Sequence, residues 1–288
     1  EIPYRQVSML KALKLLDLSK NQITSMKIFH DDQPVDVKLS LQQLHLEHNQ
    51  IYRLTTAAFQ YFLSINQTFL DFNPIHQISD DAFQQARIRE LYMRHCRLEI
   101  IEPSAFSGLE STLQVLDMSG NNITALPDKL FNSFDLLRTL NLKDNKVVTI
   151  YPHSTTFTSF QYSLLKLDLS GDKNGPTNLQ EIRRLKNLRS LSISKFGADS
   201  LSSESFLEFG IELENLRIFH AGLKAIKAHA FQYVRGLKRL DLSENRIDLV
   251  EKGAFTEVGH SLVSLSITHG FSSQVTQLPD LRELTSIE

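Results

Sequence analysis

LKRLDLSENRI, residues 237–247, sets apolar residues at its first, fourth, sixth and eleventh places and asparagine at its ninth. LKLLDLSKNQI at 13–23 and LQQLHLEHNQI at 41–51 repeat that arrangement place for place. In 237–247, places four and six are leucines that alternate with polar Arg239, Asp241 and Ser243, the two-residue alternation of a strand with one buried face. Places one and eleven flank the strand and point into the same interior. The asparagine stands where the chain leaves the strand, and its amide can satisfy backbone groups otherwise buried unpaired.

Eleven such phrases fill the chain, starting at Leu13, Leu41, Ile65, Ile88, Leu113, Leu137, Leu164, Leu188, Leu213, Leu237 and Leu262. Steps of 23–28 residues fall in the leucine-rich repeat range. One coil cannot bury its leucines alone, so coils must stack and pair their short strands in parallel. The expected fold is α/β, a leucine-rich repeat solenoid: a curved right-handed horseshoe with a parallel β-sheet on the concave face. Mostly loops and short helical turns are expected on the convex face. Residues 1–288 are expected to form a single domain of about eleven repeats.

A second register agrees. Phenylalanine falls eighteen residues after the phrase start at Phe59, Phe83, Phe106, Phe131, Phe206, Phe231 and Phe255, with Phe157 joining them in a longer coil. Such a column widens the convex wall and bends the stack. The ladder asparagine gives way to Cys96, Asp172, Phe196, Ala221 and Gly270. Cysteine substitutes at this place in such repeats, so Cys96 is expected to be a buried, unreactive thiol. Asp172, Asn174 and Gly175 lack the remaining ligands of a calcium loop, and Gly175-Pro176 is turn punctuation; no metal and no cofactor is expected. Two insertions, HDDQPVDVKL at 30–39 and YPHSTTFTSFQYS at 151–163, map to loops.

Composition removes several classes of function. A formal charge of −2 from 31 basic and 33 acidic side chains gives no footprint for nucleic acid or anionic lipid. No apolar run approaches the eighteen residues of a membrane span. There is no Gly-x-Ser-x-Gly elbow, no His-Glu-x-x-His and no phosphate-cradling glycine loop. Asp17, Asp117, Asp168 and Asp241 share the fifth place but never occupy adjacent coils, so they read as solvated residues of the sheet face. The chain is expected not to be an enzyme. One cysteine gives no disulfide framework, while sequons at Asn66 and Asn122 favour an extracellular setting and N-linked glycans.

A concave solenoid face is a binding surface, and three adjacent coils mark one part of it. Their fifth places are His45, Phe69 and Tyr92, their eighth places His48, Phe72 and His95, with Asp71 and Arg94 at the seventh. Exposed aromatics flanked by arginine favour the centre of a protein interface. The other reading is cross-strand packing that stabilises the sheet, with Phe72 tucked into the turn. Three histidines would make such a contact sensitive to pH near about 6.5. A second, weaker candidate joins Arg217, Phe219 and His220, bounded by Lys195 and Glu244.

The sequence resembles extracellular animal leucine-rich repeat proteins. AFSGLESTLQVLDMSGNNITALPDKLF at 105–131, VGHSLVSLSI at 258–267 and TSFQYSLLKLDLS at 158–170 resemble the chaoptin-type adhesion glycoproteins of insect photoreceptors. That resemblance implies a cell-surface glycoprotein with a lipid (GPI) anchor outside this segment, whose partner is a protein, including another copy of itself. Cysteine-rich caps are missing at both ends, so the chain is expected to be a segment of a longer array. The alternative is a receptor or innate-immune ectodomain that captures a distinct protein. A third reading, an intracellular scaffold, is favoured by the lone cysteine alone.

Overall fold

The structure, a computed structural model, describes residues 2, 6–7, 9–26, 38–146, 157–171, 182–194, 198–273 and 281–286. The chain divides into two compact units, Glu1–Asn145 and Lys146–Glu288. Asp172, Asn174, Gly175, Pro176, Lys195, Phe196, most of the first insertion and the start of the second lie outside the described residues.

In the first unit the strands are β1 (Leu15–Asp17), β2 (Leu39–His45), β3 (Arg53–Leu54), β4 (Phe62–Phe69), β5 (Gln77–Ile78), β6 (Ile88–Tyr92), β7 (Ile100–Ile101), β8 (Val115–Asp117) and β9 (Thr139–Asn141). The principal sheet runs β1-β2-β4-β6-β8-β9, and every determined pairing is parallel. The second unit holds β10 (Lys166–Leu169), β11 (Ser190–Ile193), β12 (Ser200–Leu201), β13 (Asn215–Ile218), β14 (Ala225–Ile226), β15 (Arg239–Asp241), β16 (Leu249–Val250) and β17 (Ser264–Ser266). Its principal sheet runs β10-β11-β13-β15-β17.

Fourth-place residues register directly across both sheets, as the phrase requires. Leu16, Leu44, Thr68, Leu91, Leu116 and Leu140 pair in succession in the first unit. Leu167, Leu191, Leu216, Leu240 and Leu265 do so in the second. All but the terminal Leu265 are buried or nearly so. Thr68 is the one fourth-place residue that is not leucine; it is fully buried and its hydroxyl has no hydrogen-bond partner. A buried unpaired hydroxyl costs roughly 1–3 kcal/mol, and packing gives no reason for it.

The asparagine ladder forms as its chemistry demands. Asn73 Oδ1 accepts from Ile51 N–H at 3.1 Å, and its Nδ2 donates to the carbonyls of Leu46 and Leu70 at 2.8 and 2.9 Å. Asn49, Asn121, Asn145 and Asn245 do the same between their own coils. Cys96 takes the same place and its thiol donates to Leu70 O at 3.2 Å. Burial pushes that thiol up to about 12, so little thiolate forms near neutral pH. We expect a disulfide-exchange reagent at pH 8 to label no thiol in the native chain and one per chain in guanidinium. Rapid native labelling would overturn the buried assignment.

Behind each sheet the phenylalanines stack in a column. Ring centroids are 5.0, 5.7 and 6.0 Å apart through Phe59, Phe83, Phe106 and Phe131. The corresponding gaps through Phe206, Phe231 and Phe255 are 5.9 and 5.5 Å. The strand side of the same first-unit coils spaces its rings more closely, 4.6 and 5.0 Å along the fifth place. Coils wider behind than in front fan apart within that unit, as the phenylalanine register predicts.

Among the described residues helix is scarce: beside turns there are the 3-10 segments Ile182–Arg184 and Gly210–Glu212 and a helical pair at residues 6–7. Two-residue strands not expected from the phrase make a second small sheet in each unit, β3-β5-β7 and β12-β14-β16. They bring the flank beyond the ladder, such as Leu54 and Ile78, into register. Among the described residues no helix is long and apolar enough to cross a membrane, and no group of three potential ligands could hold a metal.

Candidate functional site

Backbone alternation sets the concave side chains. With places four and six turned inward, places three, five and seven of each strand face out, and one coil's residue stands beside the next coil's equivalent. His45, Phe69 and Tyr92 stack face to face, with centroids 4.6 and 5.0 Å apart and planes within 13° and 7°. His48, Phe72 and His95 form a second stack at 4.6 and 5.1 Å. Each spacing repeats the strand separation of about 4.8 Å, so the coil period itself aligns the rings.

The eighth place is unusual in its backbone. Lys20, His48, Phe72, His95, Asp144, His220, Glu244 and His269 all have φ between 51° and 59°, the left-handed region that disfavours ordinary side chains by about 1–2 kcal/mol. A bulky aromatic is a costly occupant of that place. Phe72 is nonetheless 49% exposed there, so it is not tucked into the turn. The His48–Phe72–His95 row ends on Gly120, where a Cβ would stand 2.3 Å from His95 Nδ1. Glycine at that turn leaves room for the imidazole.

Between the two stacks lies a locked arginine. Asp71, almost wholly buried, accepts from Arg94 Nε at 3.1 Å, from Nη2 at 2.7 Å and from the Arg94 backbone N–H at 2.6 Å. That bond raises the guanidinium above its usual range and fixes its plane. The Arg94 guanidinium carbon also lies 5.5 Å from the Tyr92 ring centroid. Tyr92 in turn donates to Glu90 Oε2 at 2.9 Å. Burial, then that bond to Glu90, pushes the phenol up to about 12.

A third-place chain was not anticipated from the sequence. Gln43 donates to Gln67 at 2.8 Å and Gln67 to Glu90 at 2.8 Å, tying three strands to the Tyr92 hydroxyl. Reading third places across coils as fifth places were read would have revealed it. A further ring pair, Tyr52 and His76 at 6.3 Å, extends the aromatic surface past the turn.

The fifth-place aspartates have a local task beyond solvation. Asp17, Asp117, Asp168 and Asp241 each accept from the backbone N–H of the serine two residues on, at 2.9 Å. The Ser19 hydroxyl first, and then that backbone N–H, hold Asp17 below the usual carboxylate range. They are turn braces, and Asp-x-Ser was the signal for them.

In the second unit Arg217 lies 4.4 Å over the Phe219 ring. Its Nε is 3.0 Å from Asp241 Oδ2, near enough for an ion pair but off the line of a hydrogen bond. His220 meets Phe219 at 6.2 Å with tilted planes. Glu244 lines one basin with His220 and also faces His269 at 3.0 Å. Lys195 lies outside the described residues. A polar basin of about 440 Å³ opens beside Arg217 and Arg239.

Repeats of this period, ladder and parallel sheet define a family. Leucine-rich repeat models match residues 87–109, 111–173 and 211–269, about half of the chain, and the chain belongs to the leucine-rich repeat family. It is 52% identical to chaoptin of Drosophila melanogaster over 238 residues, covering 82% of this chain and 18% of chaoptin. It is 26% identical to human podocan-like protein 1, over 93% of this chain and 45% of that protein. Among solved structures, TLR13 in complex with ssRNA13 shares the fold, with a TM-score of 0.69 and 24% identity over 91% of this chain and 41% of that one. The chain thus spans less than half the length of each of these relatives.

Proposed function

We propose that this chain is a non-enzymatic, extracellular cell-surface adhesion module that binds a protein partner through its concave face, the partner being another copy of the same protein. The observation that carries this is the pair of ring stacks around Arg94, with Phe72 held exposed at a backbone position that disfavours it. Cross-strand packing accounts for the stacked faces of the rings, Phe72 included, but not for the half of Phe72 left open to solvent. Rigid aromatics beside an immobilised arginine lose little conformational entropy on docking. Likeness to chaoptin supports the adhesive reading, with the GPI anchor that the resemblance implies lying outside this chain and N-linked glycans at Asn66 and Asn122.

Displaying the full-length protein on non-adherent cells tests this: cells should aggregate, and the purified array should self-associate with rising concentration in the ultracentrifuge. A protein that stays monomeric and leaves the cells dispersed overturns the homophilic reading. One observation favours the alternative, an ectodomain for a distinct ligand. The stacked concave rings occupy three coils of the first unit, whereas the second unit presents an arginine-lined polar basin. A strict monomer that captures a foreign protein would establish it.

A further inference from the structure

Thr68 holds a place where each of the other ten coils has leucine. Its hydroxyl is fully buried and unpartnered, so the fold gains nothing visible from it. In the sequence, however, Thr68 completes the sequon Asn66-Gln67-Thr68, whose acceptor is at half-buried Asn66 within β4. Asn66 lines a shallow, open basin at the edge of the first unit's sheet.

The chemistry of that basin is specific. Arg87 and Arg89 border it, with Arg89 Nε held by Gln114 Oε1 at 3.0 Å. Ser111 and Thr112 add hydroxyls, and Leu136, 41% exposed, adds an apolar wall. No carboxylate lines it. A pyranose presents hydroxyl and N-acetyl edges to donors of this kind and a C–H face to an apolar side chain. We propose that the basin is the seat of the innermost N-acetylglucosamine units of a glycan on Asn66, which lie ordered against Arg89 and Leu136. This rests on the reading that the sequons are used, and adds that one glycan is part of the folded surface. The seat also places the sugar beside β4, the strand that ends at Phe69, so the glycan borders the aromatic face.

The full-length protein secreted from mammalian cells provides the test, with Asn122 as internal comparison. Glycopeptide mass spectrometry should find Asn66 occupied. Peptide N-glycosidase acting on native protein should release the Asn66 glycan at least ten times more slowly than the Asn122 glycan, and at an equal rate after denaturation. Arg89→Ala with Leu136→Ser, both surface changes, should bring the native rate at Asn66 up to that at Asn122. An unmodified Asn66 would overturn the glycosylation reading itself. An occupied Asn66 released as fast as Asn122 in the native wild type, or still protected in the double variant, would overturn the seat alone. Thr68→Val supplies a second measurement: it should abolish the Asn66 glycan and, compared in an Asn66→Gln background where neither chain carries that glycan, raise the thermal midpoint. A lowered midpoint would show a structural task for the hydroxyl and remove the motive for the proposal.

Discussion

Asn73→Ala should lower the unfolding free energy by roughly 1–3 kcal/mol, since one buried N–H is left unpaired and two buried carbonyls each lose one of their two side-chain donors. Ile51 N–H has that amide as its side-chain acceptor, whereas Leu46 O keeps the Asn49 amide and Leu70 O keeps the Cys96 thiol. Asn21→Ala is the comparison, because its amide bonds only within its own turn and is exposed; that change should stay within about 0.5 kcal/mol. Guanidinium unfolding followed by circular dichroism separates the two. In a stack whose coils contact chiefly their neighbours, Asn73→Ala is also expected to broaden the transition, as the coils around it loosen before the rest. Equal midpoints for the two variants would mean that the ladder does not bear on stability.

That ladder also marks how far the sequence could be read. A phrase of fixed places carries its own structural instructions: inward leucines at four and six, an amide at nine, a phenylalanine eighteen residues after the start. Register, sheet direction and the buried column follow from repetition, because each coil solves the same burial problem as its neighbour. The concave rows were legible for the same reason, since residues at one place in adjacent coils must meet, and His45, Phe69 and Tyr92 do so at the strand spacing. What escaped were interactions that depend on atoms rather than places. The bidentate lock of Asp71 on Arg94 and the left-handed backbone of the eighth place arise from turn geometry that no single phrase states. The isolated hydroxyl of Thr68 escaped because threonine is a good strand former, and only the surrounding leucines reveal the mismatch. The His269 contact of Glu244 escaped for a related reason: at a turn a long side chain can reach several partners, and the phrase does not say which.

Phe72→Asn together with Tyr92→Ala should weaken self-association by at least 30-fold, equivalent to about 2 kcal/mol, while the chain stays folded. Asparagine is the informative replacement at Phe72. It tolerates the left-handed region far better than phenylalanine, so relief of backbone strain offsets the loss of stacking on His48 and His95, which amounts to roughly 0.5–1.5 kcal/mol per pair. Stability at Phe72 therefore changes little. The Phe72→Asn single variant, which should weaken association on its own, separates loss of binding from the stability that Tyr92→Ala gives up with its Phe69 stack and Glu90 bond. Tyr92→Ala removes the ring beneath Arg94 and leaves the Asp71–Arg94 bond in place, so the charge remains but its aromatic backing is gone. Interface centres respond to this kind of truncation, whereas rim positions scarcely do; Lys143→Ala, at the seventh place two coils beyond Arg94, should change affinity by less than a factor of three. The measurement is the sedimentation equilibrium constant of the full array at fixed salt, supported by near-ultraviolet circular dichroism of the remaining aromatics. A double variant that keeps its native spectrum and associates as tightly as the parent would move the contact off this face.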